Sequence, residues 1–147
     1  MTPALPDILR GITLTLVTPL PPEASGDYMV GRTGLLAMLT GLAAQEAERG
    51  LAARVWENQA LRRLFAKASG AYDEALAGQL AGAAGERDDD LAWTALDEAN
   101  ARLRRVLIAL HEVVEGRGDA ALDREILELY QAMARARRLD LPPGFGG

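Results

Sequence analysis

Between Asp90 and Glu115 apolar residues return every three or four positions without a break. Trp93, Leu96, Leu103, Leu107, Leu110 and Val114 mark the stripe, and Asn100 occupies one of its turns. Ala92, Ala99, Val106 and Val113 widen it, while Glu98, Arg102, Arg105 and Glu112 fill the far side. That period belongs to an α-helix, and a strand cannot reproduce it. Asp88, Asp89 and Asp90 stand before it as capping candidates, where negative charge suits the helix dipole. Gly116 and Gly118 end it, because glycine takes the left-handed conformation after a last turn at little cost. At 1.5 Å per residue such a helix runs roughly 40 Å, and its stripe needs helical partners along that length.

The remaining segments read as those partners. Residues 7–17 carry two patterns. Ile12, Leu14 and Leu16 alternate with Thr13 and Thr15 as in a strand, whereas Ile8, Ile12 and Leu16 share one helical face with Asp7 as a cap after Pro6. No second strand signal exists to pair with, so a short helix is the expectation. Pro19, Pro21, Pro22 and the Ser25-Gly26-Asp27 turn make a connection. The next helix, capped by Asp27 or Thr33, places Leu35, Met38, Leu39 and Leu42 on one side and the small residues Gly34, Ala37, Gly41 and Ala44 on an adjacent face. Interior glycine costs about 0.8–1.0 kcal/mol relative to alanine, so two of them a heptad apart suggest close approach of another helix backbone. Gly50 either breaks this helix or lies within a longer one.

Leu51 to Ala68 presents Leu51, Val55, Leu61 and Phe65 at helical spacing, with a basic flank of Arg54, Arg62, Arg63 and Lys67. Ser69-Gly70 reads as a break and new cap before a weaker helix carrying Tyr72, Leu76 and Leu80, and Gly82 to Asp90 as an exposed loop. Asp119 caps the last helix, whose face is Leu122, Ile126, Leu129 and Met133, and Arg135, Arg137 and Arg138 crowd its end. The expected fold is all-α: a bundle of four substantial helices plus one or two short ones, without significant sheet. Residues 1–147 are expected to form a single domain, with 1–26 as an N-terminal segment and Pro-rich connection and 139–147 as a flexible tail.

Composition narrows the function classes. Aromatic residues are only 5% of the chain, so Leu, Ala, Val and Ile must build the core. A net charge of −5 argues against a general nucleic-acid binder. The absence of cysteine excludes thiolate metal sites, disulfides and cysteine nucleophiles. No secretory signal is visible, and the best apolar run, Gly34 to Ala44, falls short of the ~20 residues needed to cross a bilayer. A cytoplasmic protein that binds neither membrane nor nucleic acid is the expectation.

Three residues stand out as candidates for ligand binding: Asn100, His111 and Glu115. His111 is the single histidine, one helical turn before Glu115. His111-Glu112-Val113-Val114-Glu115 has the spacing of a metalloprotease helix, but Glu115 stands where a second histidine ligand belongs. A di-iron bundle needs two Glu-x-x-His pairs, and the residue three before His111 is Ile108. A histidine phosphotransfer bundle favours basic and small residues after its histidine, where this chain has Val114 and Glu115. Glu125 and Glu128 offer one Glu-x-x-Glu spacing without a matching second pair. His111 is therefore expected at the edge of the seam, bonded to Glu115, and no metal or cofactor is expected. Asn100 either fixes register as a buried, paired amide or marks a place where the seam faces solvent. No phosphate loop, nucleophile elbow or Ser/His/Asp order is present. The chain thus reads as a non-catalytic accessory or protein-interaction module, expected as a homodimer with a protein partner conceivable. The opposed reading is an enzyme or small-ligand binder with an interhelical pocket near His111, Asn100 and Glu115.

Overall fold

A computed structural model of the chain describes residues 5–19, 23, 26–70 and 72–141. Of these, 83% are helical and none lies in a strand. The described residues form five α-helices: α1 (Leu5–Val17), α2 (Asp27–Ala68), α3 (Glu74–Gly85), α4 (Trp93–Arg117) and α5 (Ala120–Ala136). The all-α expectation holds. Pro21, Pro22, Ser25 and the Gly144–Gly147 tail, part of the expected connection and end, lie outside the described residues.

The helix boundaries depart from the sequence reading in instructive ways. Gly50 lies inside α2, a helix of 42 residues. Residues 7–17 are helical, but Asp7 is in the first turn of α1 and accepts a hydrogen bond from Arg10 at 3.1 Å. Asp73, not Ser69, caps α3 by accepting from the Leu76 N–H at 2.9 Å, which leaves Tyr72 ahead of the helix. α4 begins at Trp93 with no side-chain cap. Asp90 instead accepts from the Ala92 N–H at 2.7 Å, and Asp88 is drawn inward by Arg62. Gly118 does end α4, with φ 67° and ψ 30°, a left-handed conformation that a side chain disfavours. Its neighbour Asp119 starts α5 by accepting from the Leu122 N–H at 3.1 Å.

The chain divides into two compact units: Met1–Gly50 with Arg138–Gly147, and Leu51–Arg137. In the 51–137 unit, α4 packs against both α3 and α5. Its stripe residues Leu103, Leu107, Leu110 and Val114 meet Leu61 and Phe65 of α2, Leu80 of α3, and Ile126 and Met133 of α5 in one continuous core. Each fully buried Leu, Ile or Phe there contributes about 1.5–3 kcal/mol.

The unit containing α1 is built differently. Among its described residues the buried hydrophobic side chains are Ala37 and Ala44, from the small-residue stripe of α2. Arg10 of α1 pairs with Glu48 of α2. The Gln45 side chain is bonded twice to the Asp140 backbone, donating at 2.7 Å and accepting at 2.9 Å. The larger apolar residues Leu35, Leu36 and Leu39 are exposed. Met38 and Leu42 of the same helix are half-buried.

Candidate functional site

The 51–137 unit holds two clusters of polar side chains, both involving α4. The first replaces one turn of the leucine seam. Asn100 lies between Leu96 and Leu103 and is only 3% exposed, so its amide must be paired or costs free energy. It is fully paired. Its Nδ2 donates to Glu57 Oε2 and Asn58 Oδ1, each at 3.0 Å, and its Oδ1 accepts from Arg137 Nη2 at 2.9 Å. Arg137, just past α5, also donates to both Glu57 carboxylate oxygens at 2.6 Å. That two-pronged arrangement suits a guanidinium and a carboxylate. Asn58 passes the chain onward by donating to Asp88 at 3.1 Å, and Arg62 grips both Asp88 oxygens at 2.8 and 2.7 Å.

The result is one continuous network across α2, the α3–α4 loop, α4 and the end of α5. Each member fixes the next: with Arg137 donating to its oxygen, Asn100 must turn its NH2 toward Glu57 and Asn58. Electrostatics follow the geometry. The hydrogen bond from Arg62 holds the Asp88 carboxyl below the usual carboxylate range, outweighing the opposing effect of burial. The reciprocal bond raises the Arg62 guanidinium. Among the described residues the buried side-chain polar atoms left without a partner are Arg62 Nε and the Tyr72 hydroxyl.

The network draws several charged side chains out of solvent. Glu57 is fully buried, Arg54 and Arg62 are nearly so, and Arg137 is a bonding member rather than a free helix-end cation. Arg54 lies over the Trp93 ring, 3.9 Å from its centroid, and is bonded to Asp97. Arg102, Arg104 and Arg105 do remain exposed. The one sequence signal pointing to the network was Asn100 itself, a polar residue in an apolar stripe.

The second cluster lies toward the other end of α4. His111, with its side chain 17% exposed, has Glu115 Oε1 at 3.8 Å, one turn along the same helix. Its closer partner is Asp123 of α5, 2.9 Å from Nε2. An ionised carboxylate only accepts, so Nε2 carries the proton of this bond. The Tyr130 ring lies against the imidazole at 5.7 Å between centroids. Burial raises the Tyr130 hydroxyl above its ordinary range. A recess of about 300 Å³ lined by Val114, Glu115, Gly118, Asp119, Ala120 and Asp123 adjoins the cluster.

Of the three candidates from the sequence, the structure brings His111 and Glu115 together and sets Asn100 apart. Eleven residues of helix separate Asn100 from His111, about 16 Å at 1.5 Å per residue, so they belong to different clusters. Asp123 escaped the sequence reading because it sits on the following helix. The tight turn at Gly118 folds its first turns back against the last turns of α4.

No protein-family model, curated protein or solved structure matches the chain. No helix among the described residues is long and apolar enough to cross a membrane.

Proposed function

We propose that this chain is a non-catalytic interaction module that pairs with a second copy of itself through its N-terminal helices. One observation carries the reading: of the fifteen large apolar side chains exposed among the described residues, nine lie between Ile8 and Leu39. Among its described residues this helical unit fully buries Ala37 and Ala44 but no large apolar side chain, while it exposes this much apolar surface, and such patches mark interaction sites.

The arrangement on α2 favours a second copy as the occupant. At about 100° per residue, Met29, Leu35, Leu36 and Leu39 fall within about a third of the helix circumference, roughly 130° from Ala37 and Ala44. Arg32 and Glu46 lie on this outward stripe, seven residues before and seven after Leu39. An antiparallel two-fold pairing centred on Leu39 therefore sets Arg32 of each copy beside Glu46 of the other. It also completes a four-helix arrangement from two helical pairs.

The opposed reading, a ligand pocket using His111, Asn100 and Glu115 together, has the separation of Asn100 against it, and the amide has both ends engaged. Sedimentation equilibrium at micromolar concentration is the test. The chain is expected as a dimer, and Leu39→Glu, which places two carboxylates together at the two-fold centre, is expected as a monomer with unchanged helix content. A chain that sediments as a monomer throughout, or a Leu39→Glu variant that still dimerises, refutes the proposal.

A further inference from the structure

We propose that His111, Glu115 and Asp123 bind one divalent transition-metal cation of the zinc or manganese type at the turn end of the α4–α5 hairpin. The donor set carries the inference. One imidazole nitrogen and one oxygen from each carboxylate all lie within 4.8 Å of one another. They come from two helices whose relative register is set by the left-handed turn at Gly118. Zinc bound by nitrogen and oxygen at 2.0–2.2 Å holds tetrahedral ligand atoms roughly 3.3–3.5 Å apart. His111 Nε2 to Asp123 at 2.9 Å must open slightly, and Glu115 at 3.8 Å must close slightly. Glu115, its side chain 66% exposed, has the freedom to swing inward.

Ligand chemistry narrows the cation. A nitrogen donor disfavours calcium and magnesium, which take oxygen ligands, and the absence of thiolates disfavours the softest metals. Two carboxylates balance the charge of a divalent ion, and the imidazole binds as a neutral ligand. The proton now shared between Nε2 and Asp123 leaves Nε2: it passes to Nδ1 by tautomer exchange, or to solvent if the ring was doubly protonated. Three protein ligands leave at least one coordination position for water, and the adjoining recess of about 300 Å³ gives it a way in. Asp119, also on that recess, is engaged in capping α5. The site departs from the metal-free expectation of the sequence because Asp123 supplies a ligand that only the hairpin brings near. The three ligands all belong to the 51–137 unit and the pairing proposal uses residues before Gly50, so the two proposals stand or fall independently.

The full-length chain, stripped with chelator, is titrated with zinc by calorimetry and with cobalt by visible absorption. Saturable binding of one ion per chain is expected, with cobalt bands of low coordination number and a zinc-dependent rise in melting temperature. Loss of a supporting residue around a metal typically costs 10–100-fold in affinity, so losing a ligand should cost more than about tenfold in each of His111→Gln, Asp123→Asn and Glu115→Gln. Glu115→Gln alters an exposed side chain and tests the site without endangering the fold. No saturable binding up to about 1 mM, equivalent to roughly −4.1 kcal/mol, overturns the proposal. Binding of undiminished affinity in His111→Gln also overturns it, because the ion would then be held by surface carboxylates alone.

Discussion

Arg137→Ala tests whether the network around Asn100 is a satisfied buried structure or a loose surface contact. The substitution removes two hydrogen bonds to Glu57 at 2.6 Å and one to Asn100 at 2.9 Å. The consequence differs for the two partners of the ion pair. Arg137 has a side chain 32% exposed and can be hydrated when unpaired, whereas the Glu57 side chain is 0% exposed and keeps the Asn100 amide as a donor. Breaking a buried pair from one side costs about 3–5 kcal/mol. Truncation opens a path for water from the exposed end of Arg137, which places the expected loss near the lower figure, about 3 kcal/mol. Urea unfolding followed by circular dichroism measures it. With a denaturant slope of about 1–3 kcal/mol per molar, the midpoint should fall by roughly 1–3 M. The sharper outcome is a rescue. Adding Glu57→Gln to Arg137→Ala removes the stranded charge, so the double variant should be more stable than Arg137→Ala alone, with a coupling of about 0.5–3 kcal/mol. A double variant less stable than Arg137→Ala, or an Arg137→Ala loss below about 1 kcal/mol, refutes a charged and buried Glu57.

Three further outcomes follow from particular residues. Asp88 has its carboxyl held down in the folded state by the Arg62 hydrogen bond. Its contribution is therefore complete above the unfolded carboxylate value of about 3.9 and is lost as pH falls through the lower folded value. The stability gap between wild type and Asp88→Asn should narrow from pH 5 downward, and a gap constant from pH 7 to pH 3 contradicts the pairing. Gly116 and Gly118 should respond to alanine with opposite signs, although an added Cβ meets nothing within 4 Å at either position. Gly116→Ala should stabilise by up to about 0.8–1.0 kcal/mol through helix propensity. Gly118→Ala should destabilise by about 1–2 kcal/mol through its left-handed backbone, and equal effects in a thermal melt contradict the helix end placed there.

The helices and their faces were legible in the residue pattern, because a period between three and four is a local property of backbone geometry. The stripe from Leu96 to Val114, the stop at Gly118 and the Asp119 cap could all be read from neighbours within a turn or two. Asn100 could be recognised as an anomaly in its stripe, but whether it was buried depended on what lay opposite. The partners of charge were set by packing between helices. Glu57 and Arg137 are 80 residues apart, Arg62 and Asp88 are 26 apart, and His111 and Asp123 face one another across a turn. Nothing in local periodicity separates an arginine on a solvated face from one held under a carboxylate of another helix. The sidedness of α2 was decided in the same way. Both a small-residue face and a large apolar face were legible, and packing put Ala37 and Ala44 inside while leaving Leu35 and Leu39 outward. Burial is a relation between elements, set by which faces the assembled chain brings together, and a single helix carries no record of that choice.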